Sequence, residues 1–306
     1  MSGPFVIGCD VGSQGTNGAL YDADGTLVGS AYEPYELSFP HPGWAEQDPA
    51  AWSSGVERAC RRLIELCPGG AAAIAGLSFG SQLDGMVACD AAGRPVRPAM
   101  IWMDRRAEDQ AAAVAERISP AAFYGPASWE ATTHLMPPGS YVLRHVTGEL
   151  RVDYSNASSL ALLDPRTRAW SKEVLDAVDI DPDMLPPTDE GTAAIAGITP
   201  AFAEATGLAP STVVAVGCGD EMAATLGAGV FAPGEVCDVV GTAEPVCAAS
   251  AEPREDPTML VECHPHADPD VWLLENPGFV SGGNLRWWRD QFAPIERDAE
   301  SVGLGD

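Results

Sequence analysis

Three apolar runs in this chain break off into turns of glycine with hydroxyl or acidic residues, and that pattern limits the fold more than any other feature. The first is residues 5–9, followed by Asp10-Val11-Gly12-Ser13-Gln14-Gly15-Thr16. The second is residues 213–216, followed by Gly217-Cys218-Gly219-Asp220-Glu221, and the third runs from 236 to 240 into Gly241-Thr242. Strand-to-turn junctions of this kind belong to α/β folds, where the turns at strand ends carry the chemistry. Glycines let backbone N–H groups approach an anion, and hydroxyls add donors. Any one junction, taken alone, reads first as a glycine hairpin.

The other elements agree with an α/β reading. Residues 5–11, 18–21 and 27–32 read as three antiparallel strands, with Asp22-Ala23-Asp24-Gly25 as a hairpin turn. Asp48 suits a helix N-cap and Pro49 the first helical position. Trp52, Val56, Ala59, Cys60, Leu63 and Cys67 then recur at helical spacing, so one face of that helix is buried. Residues 72–79 read as a buried strand leading into Gly80-Ser81-Gln82, 86–89 as a further strand, and 104–118 as a charged, alanine-rich helix. A strand over 213–216 is followed by a helix over 221–226. The order strand, glycine, hydroxyl of residues 7–13 returns at 236–242, and a strand over 245–249 mirrors 18–21. That repeat of about a dozen residues points to two domains of similar design, although coincidence explains so short a match equally well.

Composition narrows the function. A chain of 306 residues accommodates two domains, and 46% apolar with 20% charged residues is ordinary for a globular protein. Gly8, Asp10 and Gly12 interrupt the apolar run near the start, so no signal peptide is read there. No run of about 20 apolar residues predicts a membrane span. The net charge of −27 denies the basic surface that nucleic acids and anionic membranes require. It leaves anionic ligands open, because a nest of backbone N–H groups binds phosphate on an acidic protein. Eight cysteines without C-x-x-C spacing read as reduced, mostly buried thiols of a cytoplasmic protein. No Gly-x-Gly-x-x-Gly opens a helix after a strand, which argues against a nicotinamide enzyme.

Asp220 sits between a strand end and a helix start, where a carboxylate can accept a hydroxyl proton while that oxygen attacks a phosphoryl group. The competing reading is an N-cap aspartate. Gln82-Leu83-Asp84-Gly85 follows an apolar strand and offers polar groups to sugar hydroxyls; otherwise it is a turn. Trp102 can pack an apolar sugar face, framed by Asp104 and Arg105; otherwise it is a core tryptophan. An acidic residue just before a phosphate-type turn, here Asp10, can hold Mg²⁺.

These residues carry a resemblance. The order of residues 7–14, then His41-Pro42-Gly43-Trp44-Ala45-Glu46-Gln47-Asp48-Pro49, then Gln82-Leu83-Asp84-Gly85, resembles the start of the FGGY family of carbohydrate kinases. Residues 97–106, Thr147-Gly148-Glu149 with residues 153–158, Gly217-Cys218-Gly219-Asp220 and Gly241-Thr242 follow in family order and roughly family spacing. Within the family the chain looks most like the xylulokinase branch, over nearly all of residues 4–292.

The resemblance implies an actin-like ATPase (ribonuclease H-like) fold with a complete-looking first domain, 1–233, and a partial second domain, 234–306. It implies ATP-dependent phosphorylation of a small sugar or polyol, D-xylulose or a related ketose, with ATP and Mg²⁺. Asp220 would be the general base, and Asp10 would help hold Mg²⁺. Gly12, Ser13 and Gln14 would lie near the ATP phosphates, with Gly241 and Thr242 as a second phosphate loop. Gln82, Leu83, Asp84, Trp102, Asp104 and Glu221 would line or frame the sugar site. The family is commonly dimeric, so a homodimer is the implied assembly.

Three departures stand out. Leu83-Asp84 replaces a Met-His pair usual in xylulokinases and is similar to the glycerol kinase solution, and Glu221 stands where many xylulokinases have Asn. The stretch around 128–134 is shorter than in the family, which implies a missing or rebuilt wall of the sugar site. The sequence also stops at Asp306, well short of family length, and so lacks the part expected to bind adenine. A second reading is therefore a truncated family member that binds a polyol without turnover; nucleotide binding separates the two.

Overall fold

The computed structural model describes residues 3–107, 126–195, 197–240, 244–258, 260–278, 281–293 and 295. The chain forms two compact units, Met1–Asp220 and Glu221–Asp306.

The first unit is built on a sheet of seven strands. They are β1 (Phe5–Val11), β2 (Gly15–Tyr21), β3 (Leu27–Pro34), β4 (Ile74–Ser81), β5 (Ala194–Ile195), β6 (Val213–Ala215) and β7 (Cys218–Gly219). Their order is β5-β6-β4-β1-β2-β3, with β7 also alongside β4. The expected opening meander is present, since β1–β2 and β2–β3 are antiparallel. Strands β1, β6 and β7 all run parallel to β4. Period-two alternation explains β1: Phe5, Ile7, Cys9 and Val11 are buried, while Val6 between them is 46% exposed.

Helix α1 (Pro49–Leu66) begins as its sequence dictates. The Asp48 carboxylate accepts the Ala50 N–H at 3.0 Å, and Pro49 occupies the first turn, where its missing N–H costs nothing. Trp52, Val56, Ala59, Cys60 and Leu63 on its inner face are fully buried. They join Phe5, Ile7, Leu20, Leu77 and Phe79 of the sheet in the main core. Helices α2 (Pro138–Thr147) and α4 (Pro200–Thr206) contribute Val142, Leu143, Val146 and Phe202 to the same core, and between them lies α3 (Tyr154–Ser159). A smaller cluster of Ala88, Leu135, Leu162, Leu175 and Leu185 forms a second centre.

Two expectations change. Residues 104–107 form a loop and turn rather than the start of a helix, because the Asp104 carboxylate captures the N–H and guanidinium of Arg106; residues 108–118 lie outside the described residues. The strand expected over 213–216 is present as β6, but the turn expected from Gly217 holds a further short strand, β7, after a break at Val216-Gly217.

The second unit opens with α5 (Asp220–Gly227), whose first residue closes the first unit. An antiparallel sheet of β8 (Val236–Asp238), β9 (Val246–Ser250), β10 (Glu262–Pro265) and β11 (Trp272–Asn276) follows, in the order β8-β9-β11-β10. Helix α6 (Gly282–Phe292) presents Leu285, Trp287, Trp288 and Phe292 in exposed positions, and Val236, Val240 and Leu260 are exposed as well. All eight cysteines are free thiols. Among the described residues, no helix is long and apolar enough to cross a membrane.

Candidate functional site

Strand register brings the expected residues of the first unit to one edge. Asp10 of β1 pairs with Gly80 and Val11 with Ser81 of β4, and on the other side Cys218 pairs with Gly80 and Gly219 with Ser81. The three parallel strands therefore end level. The turn at 12–15, the turn at 82–85 and Asp220 all leave from their C-terminal ends, the usual place for ligand sites in parallel sheets. Gly217 makes this possible. It has φ +93°, and a Cβ there would stand 2.3 Å from the Phe79 carbonyl oxygen. The bulge it forms lets the chain resume alongside β4 for two more residues before Asp220. Gly219 is equally confined, because a Cβ would meet the Leu83 side chain at 2.4 Å. Asp220 is the first residue of α5 rather than the residue flanking it.

The turn at 12–15 is held from the protein side through its carbonyls. Gly12 O accepts from Tyr35 Oη at 2.6 Å and from Gln82 Nε2 at 3.4 Å. Ser13 O accepts from Gln47 Nε2 at 2.7 Å, and Gln14 O from Tyr32 Oη at 3.1 Å. Across a trans peptide the C=O and the following N–H point in opposite directions. The N–H groups of Ser13 and Gln14 thus face away from Tyr35, Gln47 and Gln82, the sense that a nest for phosphate oxygens needs. Asp10 lies beside the turn: a Cβ on Gly12 would come to 3.8 Å from its carboxylate, so the glycine leaves that side open. Asn17 Nδ2 approaches Asp10 Oδ2 at 3.5 Å. Asp10 Oδ1 is buried beside the turn, and a carboxylate there fits the hard-oxygen preference of Mg²⁺.

Below the turn runs a buried polar chain. Trp52 Nε1 donates to Gln47 Oε1 at 3.2 Å, and Gln82 Nε2 donates to the same oxygen at 3.0 Å. Ser13 Oγ donates to Gln82 Oε1 at 3.1 Å and accepts from Trp102 Nε1 at 2.8 Å. Gln82 and Gln47 are 1% and 2% exposed. Trp102 is half-buried, and Asp84 is exposed with φ +54°. In the sequence the signal for Gln47 is a glutamine within the His41–Pro49 motif, five residues before the buried Trp52.

Asp104 belongs to a ribbon joining 43–47 to 99–106. Gln47 pairs with Ala99 and Glu46 with Met100. Asp104 Oδ2 accepts from Ala45 N at 2.8 Å and pairs with Arg106 Nη2 at 2.5 Å. Arg106 also pairs with Glu46 at 2.8 Å and stacks 3.7 Å over the Trp44 ring, while Arg97 pairs with Glu46. Burial alone would raise the Asp104 carboxyl, but Arg106 and the Ala45 N–H bring it below its ordinary range. Asp104 is thus engaged by the protein itself.

A second group missed in the sequence supports Asp220. Asp153, 4% exposed, caps α3 by accepting from Ser155 N at 2.8 Å and Asn156 N at 3.2 Å, and the Ser155 hydroxyl also donates to it. Ser155 Oγ in turn accepts from Gly219 N at 2.9 Å, and Asn156 Oδ1 accepts from Ser81 Oγ at 3.3 Å. One buried carboxylate is therefore linked to the residues just before Asp220 and just before Gln82. Burial pushes the Asp153 carboxyl up, against the pull of the Ser155 and Asn156 donors. An Asp followed two and three residues later by Ser-Asn, ahead of a short helix, was the readable capping signal.

In the second unit, Glu221 is half-buried in the first turn of α5. Gly241 and Thr242 lie outside the described residues. Among the described residues on either side of them, Val239 N donates to Pro245 O at 3.0 Å.

With this geometry in place, comparison with known proteins defines the class. The family model described as "FGGY family of carbohydrate kinases, N-terminal domain" matches residues 5–133 and 125–227. The chain belongs to the FGGY family, and its fold is the actin-like ATPase fold of those kinases. It is 29% identical to the xylulose kinase of Escherichia coli (strain K12), over 92% of this chain and 62% of that protein. It is 24% identical to the gluconokinase of Bacillus licheniformis, over 98% and 62%. The crystal structure of xylulose kinase from Rhodospirillum rubrum superposes with a TM-score of 0.85 at 26% identity, covering 98% of this chain and 66% of that one. The chain thus spans less than two thirds of the length of the curated relatives it matches.

Proposed function

We propose that the protein transfers the γ-phosphoryl group of ATP to a hydroxyl of a small neutral sugar or polyol, with D-xylulose or a related ketose as the favoured acceptor. The observation that carries the reading is the level ending of β1, β4 and β7, which sets the 12–15 turn, Gln82 to Asp84 and Asp220 on one edge. Asp220 takes the proton of the acceptor hydroxyl as that oxygen attacks the γ-phosphorus, and the bond from phosphorus to the ADP oxygen breaks. Gln82 and Asp84 orient hydroxyls, Leu83 packs over Gly219, and Trp102 offers a ring face. Gly12, Ser13 and Gln14 surround the phosphates, and Asp10 would hold Mg²⁺, which neutralises phosphate charge when bound. By the family resemblance, Glu221 would serve the sugar and Gly241 and Thr242 would supply a second phosphate turn.

Charge favours a neutral acceptor. Asp84 and Asp220 on one edge repel a sugar acid, which argues against gluconate despite the likeness to gluconokinases. The match in two overlapping pieces, meeting at 125–133, supports a sugar-site wall rebuilt near 128–134. Residues 1–233 would then be the sugar-binding part and 234–306 the start of the nucleotide-binding part, in a cytoplasmic homodimer.

The test is a coupled ADP-release assay with Mg-ATP against D-xylulose, other pentuloses, glycerol and gluconate. Release with a neutral acceptor should fall by roughly 10²–10⁴-fold in Asp220→Ala, at a nearly unchanged melting temperature. Polyol binding by folded protein without any ADP release would instead identify a family member that binds without turnover.

A further inference from the structure

We infer that Ser13 is a positioning residue for the sugar side of the site, and that its hydroxyl is not a ligand of the ATP phosphates. The inference rests on the reading above, in which 12–15 faces phosphate and 82–102 faces the acceptor.

The argument follows the protons along the buried chain. An indole N–H only donates, so Trp52 Nε1 at 3.2 Å fixes the oxygen end of Gln47 toward Trp52. The nitrogen end of Gln47 then faces the Ser13 carbonyl at 2.7 Å, which can only accept. Because Gln47 Oε1 is an acceptor, the group of Gln82 that meets it at 3.0 Å is the NH₂ end. That NH₂ also reaches the Gly12 carbonyl at 3.4 Å. The oxygen end of Gln82 is left facing Ser13 Oγ at 3.1 Å, so Ser13 must donate there. At the far end Trp102 Nε1, again a pure donor, gives its proton to Ser13 Oγ at 2.8 Å. Two tryptophans, one at each end, therefore set the direction of every bond between them.

A serine hydroxyl has one proton, and here it is committed to Gln82. Phosphate oxygens need donors. Taking the proton for a phosphate would leave Gln82 Oε1 buried with no donor, and an unmet buried acceptor is unfavourable. The backbone N–H groups of Ser13 and Gln14 face the other way and carry no such conflict. Ser13 thus serves the phosphates through its main chain and the acceptor through its side chain, where it locks the Gln82 amide and holds the Trp102 ring by its N–H. By linkage, an acceptor that settles on Trp102 and Gln82 also steadies the 12–14 backbone, so acceptor and nucleotide should each tighten the other.

The experiment compares wild type, Ser13→Ala and Ser13→Thr by calorimetry with D-xylulose and with a non-hydrolysable ATP analogue plus Mg²⁺. In parallel, the indole N–H resonance of Trp102 is recorded by NMR, assigned with Trp102→Phe. Ser13→Ala should weaken D-xylulose about tenfold, the worth of one such bond, and leave the analogue within about twofold. Ser13→Thr, which keeps the hydroxyl, should restore D-xylulose binding. The Trp102 indole resonance should shift in Ser13→Ala and return in Ser13→Thr with no ligand present. An analogue weakened about tenfold with D-xylulose unchanged would overturn the inference, as would an indole resonance that does not move. If wild type binds neither ligand, the kinase reading fails, while the indole resonance still decides whether Ser13 holds Trp102.

Discussion

Replacing Gly217 by alanine tests the strand geometry on which the site depends. The residue has φ +93°, and the added Cβ would lie 2.3, 3.1 and 3.3 Å from the O, C and N atoms of Phe79. All three are backbone atoms of the central strand, so no side chain can swing aside. A left-handed conformation costs an L-residue about 1–2 kcal/mol, and overpacking costs about 1–3 kcal/mol more. The sum, about 2–5 kcal/mol, is a large share of the roughly 5–15 kcal/mol that holds a typical domain together. Gly207 supplies the control. It ends α4 at φ +85°, and a Cβ there meets nothing within 4 Å, so Gly207→Ala should cost only the conformational share, about 1 kcal/mol. Urea denaturation of both variants and wild type, followed by far-ultraviolet circular dichroism, gives the two costs. Equal losses for Gly217→Ala and Gly207→Ala would refute the argument, because they would mean that the bulge can move away from Phe79.

Two further outcomes follow from the buried groups. Ser155→Ala removes the acceptor of the Gly219 N–H, and should lower kcat about tenfold at an unchanged KM for ATP, while Ser155→Thr retains activity; steady-state kinetics corrected for the folded fraction would expose a purely structural effect as an equal loss in every parameter. His266 accepts the Asp268 N–H at 3.0 Å through Nδ1, and burial holds it below the ordinary histidine range against the pull of Asp268. A depressed folded pKa contributes stability that is present above the unfolded value of about 6.5 and is lost as pH falls through the folded value. Urea midpoints should therefore fall on acidification below about pH 6.5, and His266→Gln should flatten that slope.

Much of the scaffold was legible because local and global signals agree. Asp48, Pro49 and the apolar spacing from Trp52 to Leu63 specify α1 without outside help, and the alternation of residues 5–11 specifies β1. The readings failed where a side chain competes with the backbone pattern. Asp104 heads an alanine-rich stretch with good helix propensity, yet its carboxylate takes the Arg106 N–H and side chain, and residues 104–107 form a turn. After Gly217, where the chain presses on Phe79 more than a hundred residues away in sequence, Cys218-Gly219 read as a turn but pair with the central strand as β7. The turn residues of the site were visible as glycines, hydroxyls and carboxylates. Their supports were less so: Asp153 shows only as a local cap for Ser155 and Asn156, while the bonds from Ser155 to Gly219 and from Gln47 to Ser13 and Gln82 join residues far apart in sequence.

The thiols lend the molecule another property. A thiolate, not a thiol, is the form that electrophiles attack. Cys9 is held well above its ordinary range by its hydrogen bond with the Cys60 thiol and by burial, and burial pushes Cys89 up to about 12 and also raises Cys247. Cys9, Cys60 and Cys89 lie inside the first unit and Cys247 inside the second, all four buried. Short alkylation pulses read by peptide mass would thus time the opening of each unit separately in unmodified protein, so that the lifetime of the sugar-side unit could be followed without adding a label to either one.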